Sequence, residues 1–251
     1  MYKFAVLAVL LCLPTLLGDD RRNNLWVGID NDVLPHIADG DYWKTSITLV
    51  NMDTDPAQYA LTFRQNGGAP LVLDFVGLGQ GSVITGTLPV NGSVVIETAG
   101  TSPTLSQGFA ILESPNFKNV NGYGIFRQRF PWRAEDFEAV TPFSSKYDDD
   151  FILPFDNTAG STTSMAICNP SSYSDEIVTV AFYDEAGNRF HLDQFTLKPY
   201  EHTGFATDIK WPQTIRKRGT AVFQVSPWGA SVLGLRFNWT GPFTSTHTLS
   251  R

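Results

Sequence analysis

The chain has 251 residues, of which 42% are hydrophobic and 13% aromatic, so it can bury a sizeable core and is no disordered tail. Its formal net charge of -7 argues against a nucleic-acid binder, because neutralising phosphates requires a basic face. Two cysteines exclude a disulfide scaffold and a four-cysteine zinc site, while 21 Gly, 15 Pro and only 17% charged residues point away from helices.

Met1, Tyr2 and Lys3 give a short positive start, and residues 4–17 are an apolar run too short to cross a bilayer comfortably. Asp19, Asp20, Arg21 and Arg22 end it abruptly. This pattern predicts a secretory signal peptide over residues 1–18, a secreted or cell-surface location, and no membrane span after cleavage. Lipidation at Cys12 is disfavoured by Leu11, where a small residue is wanted, and an uncleaved anchor is the other alternative. Cleavage would leave Cys168 as the single thiol, in an apolar run that reads as buried and inert; an intermolecular disulfide is the remaining reading.

Residues 19–32 read as an N-terminal extension. Leu25, Val27 and Ile29 alternate with Trp26, Gly28 and Asp30, the period of a strand with one apolar face. Such a strand either pairs with its own first domain or is donated to a neighbouring molecule. Leu25, Trp26, Val27 and Ile29 are accordingly the candidate partner-binding residues.

From residue 33 the sequence runs twice through one order of motifs. Thr45–Asn51 matches Thr163–Asn169, Leu61–Phe63 matches Val180–Phe182, and Thr87-Leu88 with Val94–Ile96 matches Thr196-Leu197 with Thr203–Phe205. Gln107–Ile111 then matches Arg218–Val222, Tyr123–Phe126 matches Leu233–Arg236, and Phe137–Val140 matches Phe243–Thr246. Ordered matches of this kind predict a duplication: a first repeat over 33–143, a polar linker over 144–150 and a second repeat over 151–251. Within each copy, short alternating runs are separated by turns such as Asn66-Gly67-Gly68 and Ala186-Gly187-Asn188. The expected fold class is therefore all-β: two tandem, internally duplicated antiparallel β-sandwich domains of immunoglobulin-like kind. The best helical signal, residues 132–136, reads as a loop or a single turn.

Several stretches resemble a known group. These are Pro35-His36-Ile37-Ala38 ahead of a Trp and a Thr-Ser strand, Ile125–Gln128, Phe151–Asn157 and Val232–Asn238. They are similar to exported bacterial proteins of the acidobacterial type, tandem β-sandwiches usually labelled hypothetical. The resemblance implies export and an immunoglobulin-like shape, and it brings no catalytic residues with it.

No nucleophile-elbow, zinc-protease, Cys-x-x-Cys or phosphate-loop motif occurs, so no catalytic residue and no organic cofactor is expected. His36, His191, His202 and His247 fall singly; His191 and His202 are the pair that a hairpin would bring together. Asp148, Asp149 and Asp150 at the boundary are the candidate metal ligands, with calcium the ion that loop carboxylates suit, against the plainer reading of solvated turn residues. The six tryptophans offer either core packing or exposed stacking faces, with Trp228 the expected loop residue. The leading expectation is a secreted non-catalytic structural or adhesive protein that associates with itself or with other extracellular proteins, in one form a filament subunit held by strand addition. The alternative is a carbohydrate-binding β-sandwich that holds glycans on exposed aromatics.

Overall fold

The apolar alternation becomes strand after strand in a computed structural model that describes residues 32–114, 119–144 and 148–250. The expected signal peptide and the candidate residues Leu25, Trp26, Val27 and Ile29 lie outside the described residues. The first half carries β1 (Asp32–Asp39), β2 (Trp43–Asn51), β3 (Ala57–Gln65), β4 (Leu73–Phe75), β5 (Gly79–Gly81), β6 (Val83–Leu88), β7 (Ser93–Glu97), β8 (Ser106–Glu113), β9 (Val120–Gln128) and β10 (Phe137–Pro142). The second half carries β11 (Asp150–Asp156), β12 (Ser161–Cys168), β13 (Glu176–Asp184), β14 (Arg189–Leu197) and β15 (His202–Ala206). A short helix α1 (Thr207–Lys210) and a 3-10 turn (Pro212–Thr214) follow, then β16 (Arg218–Ser226), β17 (Ser231–Asn238), β18 (Phe243–Thr246) and β19 (Leu249–Ser250). Every ladder between these strands is antiparallel, and the fold is all-β.

Each half stacks two sheets. Sheet 1a runs β1-β8-β3-β6 and sheet 1b runs β10-β9-β2-β7; sheet 2a runs β11-β16-β13-β14, with β19 added beside β11, and sheet 2b runs β18-β17-β12-β15. Alternate residues of the facing sheets fill one core per half, as the period of two requires. Leu34, Ile47, Leu49, Leu61 and Phe63 are central in the first core, and Phe151, Leu153, Val180, Phe182, Trp211 and Phe223 in the second.

The two strand orders coincide, and details of bonding coincide with them. Asn51 at the end of β2 donates from Nδ2 to the carbonyls of Asp55, Leu88 and Pro89. Asn169 at the end of β12 donates in the same way to Ser174, Leu197 and Lys198. Thr45 Oγ1 is bonded to both backbone groups of Ala38, and Thr163 Oγ1 to both of Asp156. Gly124 and Gly234 make equivalent close approaches: a Cβ would stand 2.7 Å from Leu34 Cδ2 at the first and 2.7 Å from Leu153 Cδ1 at the second. Ile47 lies opposite Gly124, and Met165 opposite Gly234.

Two expectations need correction. With Gly124 and Gly234 aligned, Thr141 on β10 corresponds to Thr246 on β18, so the pairing of Phe137 with Phe243 is one residue out of register. Residues 132–136 are loop, as read from the sequence, and the short helical turns at 207–214 have no sequence signal. In the first half the return from β3 detours through the β4–β5 hairpin, where the second half returns directly from β13 to β14. The glycine-rich stretch at 77–81 supplies that hairpin's turn and its strand β5.

Candidate functional site

The second half lays the outer face of sheet 2b across β1 and β8 and onto the β9–β10 side of the first half. Phe126 and Ala139 meet Ala166, Leu233, Leu235 and Phe243 in one buried cluster. Val33, Phe109 and Ile111 meet Cys168 in another. Burial pushes the Cys168 thiol pKa up, so it stays protonated and inert, as its apolar setting implied.

Between these clusters lies a histidine pair. The β1–β8 register slips by one residue between Leu34 and Ile37, a bulge at Pro35-His36. Pro35 cannot donate to the ladder, and the extra residue lets both Leu34 and Ile37 face the core while His36 turns to the junction. The corresponding β11 pairs without a slip, Leu153-Pro154-Phe155 taking the place of Leu34-Pro35-His36-Ile37, so His36 has no counterpart in the second half. His202 opens β15 opposite Cys168, on the outward face of sheet 2b; the corresponding residue of β7 is Ser93.

His36 Nδ1 and His202 Nε2 are 3.1 Å apart and both side chains are buried. The rings stack at 5.2 Å, and the Phe126 ring lies 5.3 Å from that of His36. His202 Nδ1 stands 2.7 Å from Asn66 Oδ1, and its backbone N–H donates to the Asn66 carbonyl. Since an amide oxygen only accepts, His202 Nδ1 carries the proton there and Nε2 accepts from His36 Nδ1–H. Desolvation pulls the His36 pKa down to about 4. His202 is driven well below the ordinary range by burial first and by His36 second, with the Pro35 carbonyl opposing. The pair is neutral near pH 7.

His191 and His202, which a hairpin could have brought together, do not meet. His191 sits on β14, cross-strand from Phe182, while β15 pairs with β12 in the opposite sheet, so His191 and His202 belong to different layers. A linear hairpin argument cannot see a partner 166 residues away.

A second feature is the loop end where the β1–β2 and β9–β10 turns meet. Gly40, Asp41 and Tyr42 all take positive φ, which folds the chain tightly and presents the Tyr42 ring. Tyr42, Phe130 and Trp132 form a ring cluster with centroids 5.1–5.4 Å apart, and Trp132 is 68% exposed. Asp41, Tyr42, Lys44, Arg127, Arg129 and Asp136 line an adjacent cleft of about 530 Å³. Arg133 reaches across to donate to the Thr240 carbonyl of the β17–β18 turn, beside Trp239, which is 80% exposed. Trp228 is 60% exposed, as expected of a loop residue; its N–H and that of Gly229 donate to Glu176 Oε2, a buried carboxylate that no sequence motif marks.

The candidate metal ligands are consecutive, and their main chain is tied into the second half, while the buried Oδ1 of Asp150 has no hydrogen-bond partner. Asp148 pairs with Ala230 through two main-chain bonds and accepts from Ser250 Oγ, the Asp149 carbonyl accepts from Val225 N–H, and Asp150 opens β11 opposite Gln224. Among the described residues no group of three or more His, Cys, Asp or Glu is placed to hold a metal ion. No helix among them is long and apolar enough to cross a membrane. No protein-family profile matches the chain, and neither a curated protein nor a solved structure matches it.

Proposed function

We propose that the chain is a secreted, non-catalytic structural or adhesive protein of the exported bacterial type it resembles, built by duplication and acting through association with further copies. The observation that carries this reading is the pairing of unlike faces at the junction. Sheet 1a corresponds to 2a and 1b to 2b, and the internal contact joins the outer face of 1a, together with Phe126 and Ala139 of 1b, to the outer face of 2b. The contact is head-to-tail, and among the described residues it leaves the outer faces of 1b and 2a open. Val95, Tyr123 and Val140 are exposed on the first, Ile177, Leu192 and Leu249 on the second. A second copy repeating the junction would seat its 1b face on the first copy's 2a face, and a contact of that kind extends into an open chain unless its rotation closes a ring.

Sedimentation of the purified chain tests the reading. The native chain should associate with rising concentration, whereas Val95→Lys/Val140→Lys and Ile177→Lys/Leu192→Lys should each be monomeric. Mixed together, the two variants retain one usable junction and should stop at a dimer. A native chain monomeric at millimolar concentration removes self-assembly. If removing residues 19–32 abolishes association and the face variants do not, strand addition through Leu25, Trp26, Val27 and Ile29 carries it instead.

A second reading, glycan binding, is favoured by the Tyr42–Phe130–Trp132 cluster beside a cleft of both charge signs. Stacking on the open face of Trp132 would supply affinity, and Arg129 and Asp136 would order the hydroxyls. On a glycan array, any hit should weaken about tenfold or more in Trp132→Ala; a hit indifferent to that change uses another surface.

A further inference from the structure

We propose that the His36–His202 pair makes the junction acid-releasable: proton uptake by the two rings parts the two halves while each sandwich stays folded. The argument starts from hydrogen-bond supply. In the neutral pair each polar contact has one donor and one acceptor, running from His36 Nδ1 to His202 Nε2 and from His202 Nδ1 to Asn66 Oδ1. When both rings are charged, two N–H donors face each other across 3.1 Å, and two like charges lie in a desolvated seam.

Against that charge stands only the Pro35 carbonyl, which favours protonated His202 but weighs less than burial and the neighbouring His36 ring. The ionisable groups on the elements packed against it are Asp32 and Asp39 on β1, Lys44 on β2, Tyr59 and Arg64 on β3, Glu113 on β8, Tyr123 and Arg127 on β9, Cys168 on β12, Asp208 and Lys210 on α1, and Arg236 on β17. None of them sets the titration of either ring, which is governed by burial and by the rings themselves. Glu201, next to His202, is turned to the Lys198 N–H, and Arg64 lies over the Tyr200 ring. The immediate surround is Phe109, Phe126, Asn66 and the Gly204 backbone, beside Gln107.

The sign follows from linkage. Both rings have lower pKa values in the closed junction than the roughly 6.5 of an exposed histidine, so the open state binds more protons in acid. Closure is therefore fully supported above about pH 6.5 and loses support as pH falls towards 4. For His36 alone the open-to-closed ratio rises roughly 100-fold over that window, approaching tenfold per pH unit in its middle. Separate cores above and below the seam allow the halves to part without unfolding.

Cys168 reports the opening, because it lies in the seam beside His202. The full chain is pulsed with a disulfide-exchange reagent active in acid, and labelling is read by mass on the Cys168 peptide relative to a free thiol at each pH. Labelling should rise steeply from pH 6.5 to 4, with hydrogen exchange rising in β1, β8 and β15 while β13 and the β13-facing part of β16 stay protected. In His36→Gln/His202→Gln the rise should vanish. Should that variant stand open at every pH, ring titration of the native chain by NMR decides, and both rings must remain neutral at pH 5.5. A flat native profile, an equal rise in the double variant, a ring titrating normally in the closed form, or loss of β13 protection together with β1 would each overturn the proposal.

Discussion

Asn51 and Asn169 are the residues on which each half turns. Each is buried, each spreads its amide N–H groups over three carbonyls, and each accepts a backbone N–H two residues on, from Asp53 and from Ser171. The sequence marks both as the close of a strand, because each ends a matched Thr-Ser run. Their bonding partners could not be read there, since the farther carbonyls lie 28 to 38 residues away, at the end of β6 or β14. Removing the side chain strands several buried carbonyls and one N–H at once, which costs about 2–3 kcal/mol where water cannot enter. Asn51→Ala and Asn169→Ala should each lower the urea midpoint accordingly with an unchanged slope. A loss below about 0.5 kcal/mol would mean that water replaces the amide. His36 and Asn66 were harder still to read. Asn66 is legible only as a turn residue and His36 not at all, and each acquires its junction role only when the second half arrives.

At the scale of elements, alternation and turn chemistry were legible wherever one face of a strand meets the core and the other meets solvent. β3 and β13 show it plainly, with every second residue buried. β1 does not, because seven of its eight residues are buried: the junction covers the face that an isolated sandwich would leave wet. The bulge at Pro35-His36 was invisible for a related reason. One extra residue shifts the phase of the pattern, and without the β8 register nothing distinguishes that from an irregular strand. The helical turns at 207–214 are too short to carry a 3.6-residue period. Tertiary packing secures them, chiefly Trp211. Its ring sits among Phe182, Phe205 and Phe223, and its Nε1–H donates to Asp193, a bond that holds the Asp193 pKa below the usual carboxylate range. A tryptophan in sequence announces size but not whether it will face a core, a junction or water; Trp211, Trp43 and Trp132 take those three places respectively.

At the scale of the whole molecule, the open question is how strongly the two halves are coupled. A linker of a few residues alone would leave them to unfold independently, as domains with small polar interfaces do. Here the seam contains Leu233 and Leu235 at 4% and 6% exposure, packed among aromatic and small apolar side chains contributed from both halves. Large-to-small changes at such buried leucines cost about 2–5 kcal/mol each. At these two positions much of that cost falls on the coupling between halves, because both side chains point away from the second core, which is filled by Val232 and Met165. The native chain should therefore melt in one calorimetric transition near neutral pH, with calorimetric and van't Hoff enthalpies in agreement. Leu233→Ala/Leu235→Ala should split that transition in two. Val180→Ala, within the second core, should lower the single transition without splitting it, which separates lost coupling from lost stability. Two transitions in the native chain, or one unsplit transition in the junction variant, would mean that the seam binds the halves by proximity alone.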